Sequence, residues 1–358
     1  MDQTKMLQLI GNEKITVVEA MSKIDKNAKG ILFIVNSENQ LIGCVTDGDI
    51  RRWLLKSGEL NVPIINAMKS SPKYVMRREI ESAEQIMLKY EINALPVIDN
   101  DKTIIDIILW NEKNNKNDKK SGKSLKKIPV IIMAGGKGTR LYPYTKILPK
   151  PLIPIGETPI VERILNEYCK YDINEFYMTV NYKKGMIRSY FTDLNPAYSI
   201  KYVEENKPLG TGGSVKLIKE KFSDPVFVTN CDALIRADYG DIYEYHKASE
   251  NVITVVAALK NVTIPYGVLY SGKNGELISM EEKPTQSYFI NTGMYIINPE
   301  TIELIPDNEM FHMPQLVEKV MQQGGKVGTY PISEDSFLDM GEFGEMKRME
   351  EKLHIVSN

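Results

Sequence analysis

The chain has 358 residues, with 45 Lys+Arg against 47 Asp+Glu and a formal charge of −2; 42% of its residues are hydrophobic and 26% charged. That length exceeds one ordinary compact domain, and the composition is that of a globular protein, so two or three domains are expected and wholesale disorder is excluded. The near-neutral balance supplies no field for holding nucleic acid, and no nucleic-acid partner is expected. Cys44, Cys169 and Cys231 lie far apart with no CxxC pair, which excludes a disulfide scaffold or zinc ribbon and favours a reducing compartment. His246, His312 and His354 have no metal-ligand spacing. No window approaches the roughly 20 apolar residues of a membrane helix, and MDQTKMLQLIGNEKIT has no signal-peptide pattern. A cytoplasmic protein without a membrane partner is the expectation.

In chain order, the first feature is an internal repeat over residues 1–110. A helical segment at Thr16–Ile24 precedes strands at 31–35 (ILFIV) and 41–46 (LIGCVT), separated by a turn at Asn36–Gln40. A second helical segment, Glu81–Tyr90, precedes strands at 94–98 (ALPVI) and 103–109 (TIIDIIL) with a turn at Asp99–Lys102. Ala83, Ile86, Met87 and Tyr90 recur at three- and four-residue steps and predict one apolar helix face. Two such units bury their faces against each other, so one small α+β domain is expected. The repeat resembles a tandem pair of CBS domains. In the first copy Gly43, Thr46 and Asp49 (GCVTDGDI) fit G-x-x-T-x-x-D, and the resemblance implies a regulatory adenine nucleotide with Thr46 at phosphate and Asp49 at ribose. The second copy has Asp106 and Leu109 at those places. A pair serving only dimerisation is the alternative, and CBS pairs imply a homo-oligomer.

Asn111 to Lys127 (NEKNNKNDKKSGKSLKK) holds seven lysines, two acids and, as its only large apolar residue, Leu125. Such a stretch buries too little to offset its ordering entropy, so a flexible Lys/Asn-rich linker is expected at 111–127.

From 128 to 358 the rhythm becomes strand–helix–strand. Val130–Ala134 is a short apolar run ending at glycines; Pro159–Tyr171 carries Ile160, Ile164, Leu165 and Tyr168 on one helical face. Phe176–Val180, Ile200–Val203 and Pro225–Thr229 read as strands, Lys183–Phe191 and Gly213–Ile218 as helices. The alternation predicts an α/β fold, a mostly parallel, Rossmann-like sheet whose ligands sit beyond the carboxyl ends of its strands.

The chemistry-bearing residues begin after the first of these strands. Gly135-Gly136-Lys137-Gly138-Thr139-Arg140-Leu141 lets backbone N–H groups approach an anion, yet it is neither a P-loop nor the dinucleotide fingerprint. Leu148-Pro149-Lys150-Pro151-Leu152 mounts a lysine between two prolines. Together, GGKGTRL-x6-LPKPLIPI resembles the signature of sugar-1-phosphate nucleotidylyltransferases, over roughly Ile128 to Lys352. The resemblance implies a GT-A-like nucleotidyltransferase core and in-line attack of a sugar phosphate on the α-phosphorus of a nucleoside triphosphate. It gives Gly135, Gly136, Gly138 and Thr139 to the nucleotide, and Arg140 and Lys150 to the triphosphate and the transferring phosphoryl group. Like unit charges at about 4 Å cost on the order of 4 kcal/mol at an effective dielectric near 20, so several cations are required.

The family's metal ligands fall on Asp232, in Asn230-Cys231-Asp232 where most relatives have Gly-Asp, and on Asp339, in Phe337-Leu338-Asp339-Met340-Gly341; two carboxylates suit Mg²⁺. Glu281-Glu282-Lys283-Pro284 resembles the E-K-P element, giving Lys283 to the sugar's phosphate and Glu282 to a hydroxyl, while Gly267 and Asn291 take the places that face the sugar. Glu205 and the segment Pro208-Leu209-Gly210-Thr211-Gly212-Gly213 resemble the base-binding loop. Thymidylyl and uridylyl enzymes have Gln where this chain has Glu205; guanine's adjacent N1–H and N2–H₂ donors suit a carboxylate, so GTP is favoured. A CBS pair joined to such a core is similar to bacterial enzymes making GDP-glucosamine for legionaminic-acid pathways, with mannose-1-phosphate guanylyltransferases as broader kin. Two other readings have less support. A glycosyltransferase would need Asp-x-Asp after the strand, where Ala233 and Leu234 follow Asp232; an inactive adenylate sensor would have lost the charged set.

Overall fold

The computed structural model describes residues 6–27, 29–90, 92–109, 124–341 and 343–353. The chain divides into two compact units, one of residues 1–119 with 259–288 and one of 120–258 with 289–358.

In the first unit a βαββ plan occurs twice. Strand β1 (Ile10–Asn12) pairs in parallel with β2 (Ile31–Val35) across helix α1 (Val17–Asn27), and β2 pairs antiparallel with β3 (Leu41–Thr46), which leads into α2 (Asp47–Ser57). The second copy repeats this with β4 (Val75–Met76), α3 (Ala83–Tyr90), β5 (Ala94–Ile98) and β6 (Ile104–Leu109). Phe33, Val35 and Leu41 share one buried cluster with Ala94, Ile98, Ile104 and Ile107, so the copies complete each other's core. Ala83 and Met87 are buried as the helical spacing predicts. Tyr90 is the exception: it is 44% exposed and its ring instead receives the ammonium of Lys73, 4.4 Å from the centroid. The last turn of a short helix has too little protein around it to enclose a tyrosine.

Residues 110–123, most of the expected linker, lie outside the described residues. Its C-terminal end is anchored: Leu125 is buried and donates its N–H to the Tyr171 carbonyl (2.8 Å).

The second unit is built on β7 (Val130–Ala134), β8 (Glu175–Val180), β9 (Ser199–Glu204) and β10 (Val226–Asn230), all parallel neighbours. With β11 (Ala233–Ile235), β12 (Ile253–Thr263), β13 (Gly267–Ser271), β14 (Leu277–Glu282), β15 (Thr285–Ile297), β16 (Val327–Ile332) and β17 (Phe337–Asp339) numbered on, the main sheet runs β9-β8-β7-β10-β15-β12-β16. Strand β15 runs antiparallel to β10, and β16 runs parallel to β12. Every residue of β7 is buried, the mark of a central strand covered on both faces. Val130 and Ile132 face the cluster made with α4 (Ile160–Cys169), α5 (Lys184–Leu194) and α7 (Tyr239–Ala248), α6 being the four-residue turn Gly210–Gly213. Ile131 and Met133 face the opposite cluster, made with α8 (Met313–Gln322). In α4, Ile160, Ile164, Leu165 and Tyr168 are buried as a three-to-four spacing requires. Residues 213–218, expected as a helix, instead close α6 and continue as a 3₁₀ turn at Val215–Leu217. Three glycines at the start supply no helix propensity.

Register aligns the carboxyl ends: Val180 lies beside both Ala134 and Glu204, and Asn230 beside Met133. The loops beginning at Gly135, Asn181, Glu205 and Cys231 therefore leave one edge of the sheet together.

Candidate active site

At that edge lies a cavity of about 450 Å³. Its lining includes Gly135, Gly136, Gly138, Thr139, Arg140, Lys150, Glu205, Gly210, Thr211 and Asp232, ten of the residues expected from sequence. A neighbouring cavity of about 290 Å³ is lined by Asn291, Gly293 and Tyr295, and shares Met133, Thr211, Asn230 and His312 with the first.

The glycines divide the work. A side chain on Gly135 would overlap the Glu205 carboxylate, and one on Gly138 (φ 64°) would meet Lys150 Cβ at 3.0 Å; beyond Gly136 nothing lies within 4 Å. Gly136 thus leaves the backbone open toward the cavity, whereas its neighbours make room for protein groups.

Lys150 is fixed through its mount. Pro149 is extended, Pro151 is buried, and a 3₁₀ turn runs Lys150–Leu152. The stem packs on Gly138 and the ammonium pairs with the Asp232 carboxylate. Asp232 follows β10, and its carbonyl accepts the Met340 N–H (2.9 Å), next to the antiparallel register Ala233↔Asp339 between β11 and β17. That pairing draws together carboxylates 107 positions apart in sequence. Burial, followed by the Asp232 charge, raises the Asp339 pKa, and Lys150 and Arg140 counter it. Cys231 belongs to the apolar cluster beneath, and its thiol is pushed up to about 12 by burial first and then by Asp232. The departure from Gly therefore leaves the carboxylate in place.

The pair fits a hard divalent cation. Asp232 lines the cavity with Asp339 brought beside it by the β11–β17 pairing, and among the described residues no cluster of three or more acids, histidines or cysteines is placed to hold a metal ion. Phosphate and water oxygens would complete the shell, the arrangement Mg²⁺ favours.

At the other end Glu205 is buried, 6% exposed. Its N–H donates to the Val180 carbonyl (3.0 Å), its carbonyl accepts from Asn181 Nδ2 (3.0 Å), and its carboxylate accepts the Leu209 N–H (3.2 Å). Desolvation raises its pKa, partly offset by Leu209.

Sequence reasoning missed the residues that hold this end in place. Gly212 and Gly213 both donate N–H to the Phe311 carbonyl (2.9 Å each), Phe311 donates to the Leu209 carbonyl (2.9 Å), and Thr211 Oγ1 accepts the Met313 N–H (3.0 Å). A Cβ on Gly210 (φ 75°) would meet the Phe311 carbonyl oxygen at 2.7 Å, and one on Gly213 the Glu309 oxygen at 2.6 Å. These glycines admit a strap of protein backbone. The Thr211 hydroxyl is likewise spent on the first turn of α8. His312 and Met310, on the strap, line the main cavity. Pro at the start of α8 marks a helix N-terminus, but nothing local ties it to a loop 100 residues earlier.

The remaining expected residues lie in the first unit. Gly267 pairs with Glu282 across the β13–β14 hairpin, and a Cβ at Gly267 would stand 3.0 Å from Glu282 Oε2. Lys283 has φ 49° and donates its N–H to the Tyr266 carbonyl (3.3 Å). Thr46 and Asp49 form the capping box of α2. The Asp49 carboxylate also pairs with Arg52 and with Lys69 (3.1 Å). Burial acts to raise its pKa, and bonds from Thr46, Arg52 and Lys69 outweigh burial to lower it.

Residues 129–354 match the Nucleotidyl transferase family and residues 12–56 the CBS domain. Over 213 residues the chain is 33% identical to the UTP–glucose-1-phosphate uridylyltransferase of Synechocystis sp., covering 53% of this chain and 55% of that protein. Over 184 residues it is 32% identical to the mannose-1-phosphate guanylyltransferase catalytic subunit beta of Dictyostelium discoideum, covering 49% and 51%. The chain spans about half the length of these relatives. A crystal structure of a candidate glucose-1-phosphate thymidylyltransferase from Bacillus anthracis superposes with a TM-score of 0.51 at 20% identity, over 64% of this chain and 97% of that one, a likeness of fold. Among the described residues no helix is long and apolar enough to cross a membrane. With its site loops gathered at one sheet edge and a family match over most of the chain, this protein belongs to the nucleotidyl transferase family and carries a CBS domain near its N-terminus.

Proposed function

We propose that the protein transfers a nucleotidyl group from a nucleoside triphosphate to a sugar 1-phosphate, with GTP as donor and a GDP-glucosamine- or GDP-mannose-type product. The observation that carries this reading is the cavity whose lining joins a buried carboxylate, Glu205, with Arg140, Lys150 and Asp232. A base with paired donors suits Glu205 and a triphosphate the charged group.

In the reaction a sugar phosphate oxygen forms a bond to the α-phosphorus while the bond from that phosphorus to the bridging oxygen breaks, and pyrophosphate leaves with the electron pair. Arg140 and Lys150 hold the phosphates and offset their repulsion. Gly136 and Thr139 supply the backbone facing them. A divalent cation held by Asp232 and Asp339, Mg²⁺ by its preference for oxygen, supplies further charge neutralisation when bound. Asn291, in the second cavity, suits a sugar substituent: its Oδ1 accepts the Gly293 N–H (2.9 Å) and its Nδ2 donates to Tyr295 Oη (2.6 Å), which fixes the amide. The family resemblance assigns the sugar's phosphate to Lys283, a hydroxyl to Glu282 and the place whose backbone faces the sugar to Gly267. Relatives named for uridylyl and for guanylyl transfer match this chain about equally, so base choice rests on Glu205. Its ionised form accepts N1–H and N2–H₂ in parallel. A regulatory adenine nucleotide at Thr46 and Asp49 has to displace Arg52 and Lys69 from the Asp49 carboxylate.

The test is incubation with each of the four NTPs and a panel of sugar 1-phosphates in the presence of Mg²⁺, with products identified by mass. A GDP-sugar is expected. A UDP- or dTDP-sugar alone would overturn the guanine assignment, and absence of pyrophosphate from every pair would overturn the transferase reading.

A further inference from the structure

Lys150 serves the incoming phosphates in the reading above, yet in the structure its ammonium is committed to a carboxylate. It pairs with the carboxylate of Asp232, both side chains being 12% exposed. Neither partner is free to drift. The lysine stem is set by the Pro149–Pro151 mount and by contact with Gly138, 3.0 Å from its Cβ and 3.3 Å from its Cδ to the glycine's Cβ position. Asp232 is set by β10 and by the bond from Met340 N–H to its carbonyl. The second carboxylate, Asp339, has the Arg140 guanidinium on its side: Arg140 Nη1 lies 3.5 Å and Asp339 Oδ2 2.8 Å from the Cβ position of Gly341. Lys150, Arg140 and Asp232 thus line the cavity together, and the two cations act electrostatically on Asp339 beside Asp232.

We propose that Lys150 is the stand-in for the divalent cation, neutralising Asp232 until an incoming triphosphate draws the ammonium away. The inference rests on the reading of Asp232 and Asp339 as the ligand pair. A free cation approaching Asp232 meets a carboxylate already paired and an ammonium of like charge. Once the phosphates take Lys150, Asp232 is left as a poorly solvated, uncompensated anion, and such a charge strongly favours a new partner. Nucleotide and cation therefore bind with positive coupling, and the coupling is reciprocal. The same residue that holds the phosphates keeps the site from retaining a cation with no substrate beside it.

The probe is Mn²⁺ alone, titrated into the nucleotide-free full-length protein, with free Mn²⁺ read by electron paramagnetic resonance. Removing the competing ammonium in Lys150→Gln tightens Mn²⁺ binding by on the order of tenfold, within the span typical of coupled sites. Lys150→Arg, which keeps the charge, binds as the unmodified protein does. Asp232→Asn weakens Mn²⁺ in every background. A melting curve for each variant establishes that it is folded, and Lys150→Met serves if the glutamine variant is not. Equal or weaker binding by Lys150→Gln, or equal tightening by Lys150→Arg, overturns the stand-in role while leaving the metal site intact. Mn²⁺ binding insensitive to Asp232→Asn overturns the ligand assignment, and the inference with it.

Discussion

At the residue scale the informative side chains are those whose environment disagrees with their type. Glu205 is a carboxylate in a buried wall of the cavity, held by three hydrogen bonds. Desolvation raises its pKa, and under the GTP proposal the paired donors of a guanine edge would favour the ionised form. Glu205→Gln exchanges two acceptors for a donor and an acceptor. A charge-assisted hydrogen bond contributes roughly 1.5–3 kcal/mol, so GTP preference over UTP falls by about ten- to a hundredfold. Ratios of kcat/KM for the two nucleotides measure it, and an unchanged ratio removes Glu205 from base recognition. The identity of this residue was legible in sequence because one position separates amide from carboxylate chemistry. Its burial against Gly135 was not, since that glycine precedes it by 70 positions.

At the element scale, the loop at Leu209–Gly213 and the strap at Glu309–Met313 act as one piece. A glycine-rich loop near a phosphate site invites the reading that its glycines face the ligand; here Gly210 and Gly213 face backbone carbonyls. Thr211→Val keeps the shape but leaves the Met313 N–H without its acceptor, at a cost of about 1 kcal/mol. The expected result is a lowered melting temperature and a nucleotide KM raised roughly fivefold with kcat nearly unchanged, by the conversion of about 1.4 kcal/mol per tenfold. Thr211→Ser restores both. A Thr211→Val enzyme with normal melting temperature and KM would show that the cap contributes nothing to the loop. Helix α4 and strand β7 were readable from local periodicity alone, because each buries a face or a whole run set by its own sequence.

For the whole molecule, the pH response separates the two units. In the second unit His246 is buried between Thr254 Oγ1 (2.8 Å) and Asn298 Oδ1 (3.0 Å). Desolvation holds its pKa below the ordinary imidazole value, only partly opposed by Asn298. The unfolded chain therefore takes up a proton that the folded unit refuses. Stability from this group is complete above about 6.5 and declines as pH falls toward the depressed folded pKa. Chemical unfolding at a series of pH values should show that decline, and His246→Gln should flatten it; an unaltered slope in the variant would exclude His246 as its source. In the first unit Asp49, with its pKa lowered, acts at stronger acid: its contribution is lost as pH falls below the ordinary carboxylate range.

What the sequence determined alone was carried by short spacing: the twofold βαββ repeat, the parallel strands, and the glycine and LPKPL motifs. Only the tertiary structure decided which of those groups meet. It paired Lys150 with Asp232 and laid β17 beside β11. It strapped a loop at 209–213 to a helix start at 313, and put residues 259–288 in a unit with the N-terminal repeat. The reason is physical. Periodicity and turn chemistry act over a few residues and are written in the local sequence, whereas a contact across 80 to 110 residues exists only after the sheet has brought its strand ends to one edge.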